Sequence, residues 1–510
     1  MNDVLGNALN FNYALLLPEI ILAATALLVV FVDLFQRELK TSGRLLPIVS
    51  LIGLVAAGVV SVFGVDAHAD FSRLIAIDNF TTFFRELFIV TTILVVLGSH
   101  EYVERHVNHI GEFYALLLLS TIGAIYMAAA RDLLTAYLSI EVLSFSLYIA
   151  VSLGKNDARS GEAALKYVLL GGVASAMLLY GLSLLYGIAG ATQYADIAAA
   201  LAKHDAGVRM PLQLALVLIV GGVGFKASAV PFHMWTPDAY EGAPIPVTAY
   251  LSATSKAATF ALLLRWFSGP LYPAIAQWQW MIATVAVLTM VFGNLIALQQ
   301  HNIKRLLAYS SIGQVGFMLM AITTISNVSA SGLLVHLGGY LVTNLAIFIA
   351  VIHFYNRTGR EQITDFKGLA QTNPYLALVL AAGFFSLAGM PLLAGFFTKF
   401  ILFQSVVQGG YLWLVFIAVI ASTVSLFYYL QVIRQMYLYQ PDGDASRWRL
   451  SATGYLTTAT LFAGMVVIGL YGAPLYTVAD RAAFALFPGG DAPAAAAPVM
   501  PAAPKAPAAH

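Results

Sequence analysis

The sequence predicts an all-α polytopic membrane protein with about 14 transmembrane helices. Of its 510 residues, 60% are hydrophobic and 10% are charged, whereas soluble proteins carry about 25% charged residues. Apolar stretches of spanning length recur along the whole chain, and strand-like alternation is absent, which disfavours a transmembrane barrel. One helical bundle therefore accounts for nearly the whole chain.

The apolar stretches give the helices in order, at residues 12–35, 44–64, 79–98, 112–130, 132–153, 161–189, 211–232, 244–267, 279–298, 302–324, 331–356, 374–407, 411–437 and 453–475. The N-terminus lacks a basic n-region and a small-residue cleavage site, so we expect the first stretch to be a retained span. We expect the Pro- and Ala-rich residues 488–510 to form a disordered tail, because such a composition cannot bury a core.

Basic residues predict the orientation in the membrane. Odd-numbered connections carry Arg37, Lys40, Arg44, Arg105, Lys155, Arg159, Lys304, Arg305, Arg357, Arg360, Lys367, Arg434, Arg447 and Arg449. Even-numbered connections and the tail carry half as many, namely Arg73, Arg131, Lys203, Arg209, Arg265, Arg481 and Lys505. Because cytoplasmic loops are enriched in Lys and Arg, both termini are expected on the outer face.

Composition also excludes several kinds of site. The net charge of +1 gives no reason to expect nucleic acid, and the absence of cysteine excludes iron–sulfur clusters and thiolate zinc sites within this chain. No glycine fingerprint follows a strand, which argues against dinucleotide binding. We interpret the run from His100 to His109 as a solvated loop rather than a metal site. His336 and His353, 17 residues apart on one helix, make a poor haem pair.

Four ionisable residues lie deep within apolar stretches: Glu141, Lys226, Lys256 and Lys399. Such a side chain at bilayer depth costs about 2.5–3.5 kcal/mol on insertion scales, so it indicates a function that needs it there. Lysines that can lose a proton beside an acid predict a proton path. The structural alternative is that the charges only hold helices together. Near helix ends, snorkelling anchors are equally plausible for Asp33, Arg85, Glu86 and Lys166.

Two of these lysines lie beside helix breakers. Pro231 follows Lys226 by five residues, and Pro391 precedes Lys399 by eight. Irregular backbone inside a membrane is tolerated only within protein or beside water, and a pair of interrupted helices points to internal repeats around a midplane site. Aligning the two lysines gives an offset of 173 residues, which also relates Glu141 to Gln314. The pattern fits a duplicated five-helix unit.

Polar stripes accompany the charges. Helix 5 carries Tyr137, Glu141, Ser144 and Tyr148; helix 8 carries Thr248, Ser252, Ser255, Lys256 and Thr259; helix 11 carries His336, Tyr340, Thr343 and Asn344. Hydroxyl stripes can hold the ordered waters that proton transfer requires. At about 4 Å and an effective dielectric near 20, an acid–lysine pair attracts by about 4 kcal/mol, so moving Glu141 relative to Lys226 has the magnitude to load or eject a proton.

Three motifs carry a resemblance to a known family: GFKASAVPFHMWTPDAYEGAPIPVTAYLSATSKAATF (224–260), KRLLAYSSIGQVGF (304–317) and GMPLLAGFFTKF (389–400). The chain resembles, over nearly its whole length, the antiporter-like membrane subunits of respiratory NADH:quinone oxidoreductase (complex I), and within them the N subunits. The resemblance implies 14 helices with two inverted five-helix repeats, helices 4–8 and 9–13, and breaks in helices 7 and 12. The corresponding domains are an N-terminal three-helix segment (1–111), the two repeats (112–267 and 279–437), helix 14 (453–487) and the tail (488–510).

The resemblance also assigns roles. It places the family's helix 5 glutamate at Glu141 and its helix 7, 8 and 12 lysines at Lys226, Lys256 and Lys399. Lys166 matches a helix 6 lysine that tunes the acid–lysine pair, and His336 is the nearest candidate for a helix 11 connector. This chain is expected to hold no cofactor or metal, while flavin, iron–sulfur clusters and quinone belong to partner subunits. The expected partners are other membrane-arm subunits, including antiporter-like neighbours and small helical subunits, and membrane lipids, in a bacterial inner membrane.

Three rival functions remain open at this point. A subunit of a multi-subunit sodium/proton antiporter would share this fold. A structural scaffold would retain the lysines without using them. A solitary transporter of an organic solute is disfavoured, because no varied cluster of polar side chains lies near the broken helices.

Overall fold

The computed structural model describes residues 13–36, 42–63, 69–71, 73–155, 157–203, 208–441 and 446–487. Thirteen of the described helices are long and apolar enough to cross a membrane, and a fourteenth segment crosses as two shorter helices, so the all-α prediction is confirmed. The expected tail at 488–510 lies outside the described residues, as do Arg37 and Lys40.

The helices keep the numbers of the predicted spans. Their bounds are Leu17–Gln36, Ser42–Phe63, Asn79–His106, Ile110–Ala129, Leu133–Val151 and Ala158–Ala189 for helices 1–6, Arg209–Ala227 with Trp235–Gly242 for helix 7, Ile245–Ser268 for helix 8, Ile275–Ala297, Ile303–Thr323 and Asn327–Thr358 for helices 9–11, Pro374–Ala388 with Ala394–Gln408 for helix 12, and Leu412–Leu438 and Ala452–Leu470 for helices 13 and 14.

The structure corrects the sequence prediction at several places, one of which is an unforeseen short helix, Tyr194–Ala202, between helices 6 and 7. Helix 3 continues to His106, so the loop interpretation of the run from His100 was wrong for its first seven residues. Helix 14 ends at Leu470, and a separate helix, Ala473–Phe484, follows within the range assigned to it. A small antiparallel hairpin, Ala69–Phe71 with Ile75–Ile77, precedes helix 3 and was not foreseen.

The two expected breaks are present, each built around left-handed backbone. In helix 7, Ser228 (φ 68°) ends the first half, and a turn separates it from Trp235. In helix 12, Gly389 (φ 89°) ends the first half and Leu392 (φ 74°) lies in the turn before Ala394. Because proline cannot donate a helical hydrogen bond, Pro231 and Pro391 fall in the turns rather than inside either half.

Two matching bridges show the internal duplication. Asp132, which caps helix 5, pairs with Gln193 just after helix 6, and Asn302, which caps helix 10, pairs with Gln362 just after helix 11. We call these two bridges the staples. The capping residues are 170 positions apart, whereas the broken-helix lysines are 173 positions apart. The second unit therefore contains three more residues than the first between its capping residue and its lysine.

The duplicated units are inverted with respect to each other. The first staple lies beside the Ser268 end of helix 8, where Arg131 and Tyr194 line a shared cavity. The second lies beside the Ile245 end, where Glu361 and Gln362 line another. Helix 8 has 24 residues, about 36 Å of rise, so the staples lie on opposite sides of the bundle.

The N-terminal helices are tied to this core by buried ion pairs. Arg265 of helix 8 donates to both carboxylate oxygens of Asp78 at 2.8 and 2.7 Å and to the Ala128 carbonyl at 2.8 Å. Burial alone would raise the pKa of Asp78, but the charge and hydrogen bonds of Arg265 outweigh it and hold that pKa below its ordinary value. Arg85 pairs with Glu19 at 2.7 Å and is buried, so it is not a snorkelling anchor.

Candidate functional site

Lys226 lies in the last turn of the first half of helix 7, in an aromatic enclosure. It is 6% exposed, and its Nζ has no hydrogen-bond partner. The ammonium lies 5.2 Å from the ring centroid of Tyr148 and 5.9 Å from that of Tyr167. Trp235, at the start of the second half of helix 7, stacks on Tyr167 at 4.3 Å and donates to the Phe225 carbonyl. The break in helix 7 therefore places Trp235 where it forms part of the enclosure around Lys226.

Glu141 is half-buried on helix 5 and accepts a hydrogen bond from Ser175 of helix 6. Ser175 also bonds the Tyr137 hydroxyl at 2.9 Å, so it links two members of the predicted helix 5 stripe. No ion pair within 4 Å joins Glu141 to Lys226, although the carboxylate acts electrostatically on that lysine. The pair is thus near but separated in this conformation.

Lys256 follows a turn of π-helix in helix 8, formed by Leu251–Ser255. Single π turns inside α-helices are frequent at functional sites, because they shift side chains out of the regular register. Lys256 is 2% exposed, its Nζ has no hydrogen-bond partner, and it lies 5.9 Å from the ring centroid of Tyr240. The central lysine is therefore enclosed by protein on all sides.

The predicted stripes of helices 8 and 11 meet at Ser252, within the π turn. Tyr340 donates to the Ser252 carbonyl at 3.2 Å, and Asn344 donates to its hydroxyl at 2.6 Å. Thr343 bonds Ser386 of helix 12 at 2.8 Å. These contacts connect the π turn before Lys256 with helix 11 and, through it, with the second broken helix.

Lys399 closes the carbonyl end of the first half of helix 12. Its Nζ donates to the Leu387 carbonyl at 2.6 Å and to the Ser422 hydroxyl at 3.1 Å, and Ser422 donates to the Ala388 carbonyl at 3.2 Å. A cation is favoured there by the negative end of the helix dipole. Lys399 also lines a cavity of about 320 Å³ between helices 12 and 13.

Gln314 and His336 both lie next to this lysine. Gln314 donates to the same Leu387 carbonyl at 3.3 Å. His336 Nδ1 bonds the hydroxyl of Thr398, the residue before Lys399, at 3.2 Å, and its Nε2 has no partner. Gln314 is also the residue that the 173-residue offset relates to Glu141, so the second unit carries an amide where the first unit carries the acid.

Lys166 is placed apart from the other candidates. Its side chain is 45% exposed and pairs with Glu162 at 2.8 Å and Asp238 at 2.9 Å. Asp238 pairs in turn with Arg305 of helix 10 at 2.7 Å. Lys166 thus connects helix 6 to the second half of helix 7 and, through Asp238, to the second unit.

Several contributing residues were missed by the sequence reasoning. Ser175, Ser422, Tyr167 and Phe317 contact the candidate residues, but each lies on a helix whose facing direction a single sequence does not reveal. A signal existed for Phe317, the last residue of the motif at 304–317, and for Tyr167, which follows Lys166 directly.

A polar cleft of about 460 Å³ opens between the two units on the face that carries most basic loop residues. Its floor is the turn at 242–245 that leads into helix 8. At its edge, buried Lys304 pairs with Glu361 at 3.0 Å and donates to the Ala243 carbonyl at 3.3 Å. Within the described part of the chain, no three His, Asp or Glu side chains form a metal-type cluster.

Comparison with known proteins gives consistent results. Residues 130–425 match the family described as "NADH:quinone oxidoreductase/Mrp antiporter, TM". The chain is 40% identical over 481 residues to the NADH-quinone oxidoreductase subunit N of Heliobacterium modesticaldum, with 93% of this chain and 100% of the relative covered.

Two solved structures share the fold. A chain of respiratory complex I from Thermus thermophilus is 28% identical, with a TM-score of 0.75, covering 91% of this chain and 99% of its own length. A chain of the Mrp complex from Dietzia sp. DQ12-45-1b has a TM-score of 0.80 at 20% identity, covering 93% of this chain and 97% of its own, which shows a common fold.

Proposed function

This chain belongs to the antiporter-like membrane subunits of NADH:quinone oxidoreductases, among the N subunits, and from that membership we propose how it translocates protons in the membrane arm. It is a subunit of the enzyme and works with other membrane-arm subunits. We place flavin, iron–sulfur clusters and quinone in those partners, because this chain offers no cysteine to ligate a cluster.

The observation that carries the proposal is the set of three lysines buried inside the bundle. Lys226, Lys256 and Lys399 are each at most 6% exposed, and the first two have no hydrogen-bond partner. An unpaired ammonium is costly to bury, so such lysines favour a role in which the proton is gained and lost. Lys226 and Lys256 therefore lack the fixed partner that a merely structural cation would be expected to have.

We assign the residues a sequence of roles. Glu141 and Lys226 form the input switch, Lys256 relays the proton near the midplane, and Lys399 passes it to the outer side. Tyr340, Asn344 and His336 lie along the polar contacts between the last two lysines and support water-mediated transfer there. Lys166 tunes the input pair through Asp238 on the second half of helix 7.

We place both termini on the periplasmic side of a bacterial inner membrane. The polar cleft supports this orientation, since it opens on the face rich in Lys and Arg, and such loops favour the cytoplasm. Its lining includes the turn that joins the second half of helix 7 to helix 8, which makes the cleft suitable as the water entrance of the first unit.

A sodium/proton antiporter subunit is the alternative function. The Mrp likeness supports it only at the level of the fold, whereas the N-subunit relative is 40% identical over nearly its whole length. Co-purification with flavin- and iron–sulfur-containing subunits separates the two, since a multi-subunit antiporter has no use for them.

The relay is tested by replacing Lys226 or Lys256 in the assembled complex with alanine and, separately, with arginine. Both substitutions are expected to abolish most NADH-driven proton pumping, because arginine keeps the charge but does not release its proton. Pumping is measured in inverted membrane vesicles, and NADH oxidation by an artificial acceptor reports assembly.

The matched control is Lys203→Ala, in the exposed loop after helix 6, which should pump normally. Unchanged pumping by the alanine variants refutes the relay. Rescue by arginine would instead assign these lysines a structural role.

A further inference from the structure

Each of the three lysines of the proposed relay faces an aromatic ring. The ammonium of Lys226 lies 5.2 Å from the Tyr148 centroid, that of Lys256 lies 5.9 Å from Tyr240, and that of Lys399 lies 5.1 Å from Phe317. A cation within about 6 Å of a ring face is attracted by the ring quadrupole, more strongly when water is excluded. The aromatic partners are most numerous at Lys226, where two rings converge.

We propose that Tyr148 and Tyr167 form a resting site for the protonated side chain of Lys226, which alternates between these ring faces and Glu141. The inference rests on the proposed relay and adds two positioning residues to it. In the described conformation the ammonium has the rings as neighbours and no hydrogen-bond partner, while the carboxylate is held by Ser175. The lysine charge therefore has a defined partner in both positions, the tyrosine rings in one and Glu141 in the other.

The rings are fixed in place by their own packing. Tyr167 is fully buried between Trp235, stacked at 4.3 Å, and Tyr148, edge-on at 4.5 Å. The hydroxyl of Tyr148 occupies the space above Gly171, where a Cβ atom would lie 2.0 Å from it. A rigid pair of ring faces offers the ammonium a constant site at no ordering cost.

For proton transfer, the consequence is that the protonated lysine is stabilised to a different extent in each of its two positions. Ring faces attract an ammonium without accepting its proton, whereas the carboxylate can form a close ion pair with it. Removing the rings leaves the protonated lysine less stabilised whenever Glu141 is disengaged, so the lysine loses its proton at lower pH. The titratable groups around it are Glu141 and Tyr148 on helix 5 and Tyr167 on helix 6, and Tyr240 on helix 7 acts on Tyr167.

The test measures NADH-driven proton pumping by the assembled complex as a function of pH. Tyr148→Leu is expected to move the alkaline half-point of pumping down by about one pH unit, as expected for loss of a desolvated cation–π contact. Tyr148→Phe keeps the ring and should retain the wild-type profile. Gly171→Ala displaces the Tyr148 ring without altering its chemistry and should shift the profile in the same direction as leucine.

Phe145→Leu is the matched control, since Phe145 packs edge-on against Tyr148 at 5.9 Å but faces outward. Its profile should be unchanged. If Lys226→Ala abolishes pumping while Tyr148→Leu keeps the wild-type profile, the resting site is wrong and the relay stands. If Lys226→Ala pumps normally, the relay itself is wrong. A shift in Tyr148→Phe equal to that of leucine assigns the effect to the hydroxyl and overturns the proposal.

Discussion

At the scale of single residues, the acid of the input pair is held by a serine that the sequence did not single out. Ser175 donates to Glu141 and shares a hydrogen bond with Tyr137. A hydrogen bond to an ionised carboxylate stabilises it by about 1.5–3 kcal/mol. Ser175 therefore competes with Lys226 for the Glu141 carboxylate and biases how readily the lysine pairs with it.

Ser175→Ala is expected to change the rate of NADH-driven pumping by about tenfold or more, because it removes one charge-assisted hydrogen bond, of about 1.5–3 kcal/mol, from Glu141. Ser175→Thr retains the hydroxyl and should restore the rate. Ser183→Ala is the control on the same helix, since Ser183 is exposed and donates only to the Tyr180 carbonyl. Equal pumping by the wild type and Ser175→Ala, measured in vesicles with matched complex content, contradicts a role for this serine.

At the scale of elements, the two halves of helix 12 meet across a contact that only glycine permits. The Gly395 amide donates to the Ser386 hydroxyl at 3.0 Å, and a Cβ atom on Gly395 would lie 1.7 Å from the Ser386 carbonyl oxygen. That close approach keeps the Leu387 carbonyl within hydrogen-bond distance of Lys399 and the Ala388 carbonyl within hydrogen-bond distance of Ser422.

Gly395→Ala is expected to push the halves apart at a cost of about 1–3 kcal/mol, lowering the thermal stability of the purified complex and reducing pumping. Gly172→Ala on helix 6 is the matched control, because no atom lies within 4 Å of its Cβ position. Differential scanning fluorimetry of the two variants compares the thermal stability of the Gly395→Ala complex with that of the control. A stable, fully active Gly395→Ala complex shows that the contact is dispensable.

At the scale of the whole molecule, the uneven distribution of basic residues makes orientation testable. Lys155 lines the polar cleft and Lys203 lies in the loop after helix 6, on the opposite side of the bundle. The chain contains no cysteine, so one introduced cysteine is its only thiol.

With both termini outside, a membrane-impermeant maleimide should label Lys203→Cys in spheroplasts and Lys155→Cys in inverted vesicles, because the reagent reaches only the exposed face. Labelling of the isolated subunit is read on a gel. The reverse pattern in both preparations contradicts the proposed orientation, and permeabilised membranes, in which both variants should react, control for accessibility.

Sequence patterns predicted much of this architecture because membrane helices depend mainly on local composition. The apolar flanks of Lys226, Lys256 and Lys399 predicted their burial, and prolines predicted both breaks. The packing between helices could not be predicted from the sequence, because Ser175 could be matched to Glu141 only once helices 5 and 6 were placed together. Nothing in the letters LSATS marks a π turn, which is a rare feature inside α-helices.

The staples have a consequence for motion. A loop already joins helices 5 and 6 at one end, so the Asp132–Gln193 bridge at the other makes the pair a closed frame, and Asn302–Gln362 does the same for helices 10 and 11. Glu141, Tyr148 and Tyr167 belong to the first frame. Lys226 and Lys399 belong to helices 7 and 12, outside both frames. If the proposed relay operates through movement of helices 7 and 12 against these two frames, a crosslink that joins the two helices of either frame should leave turnover intact.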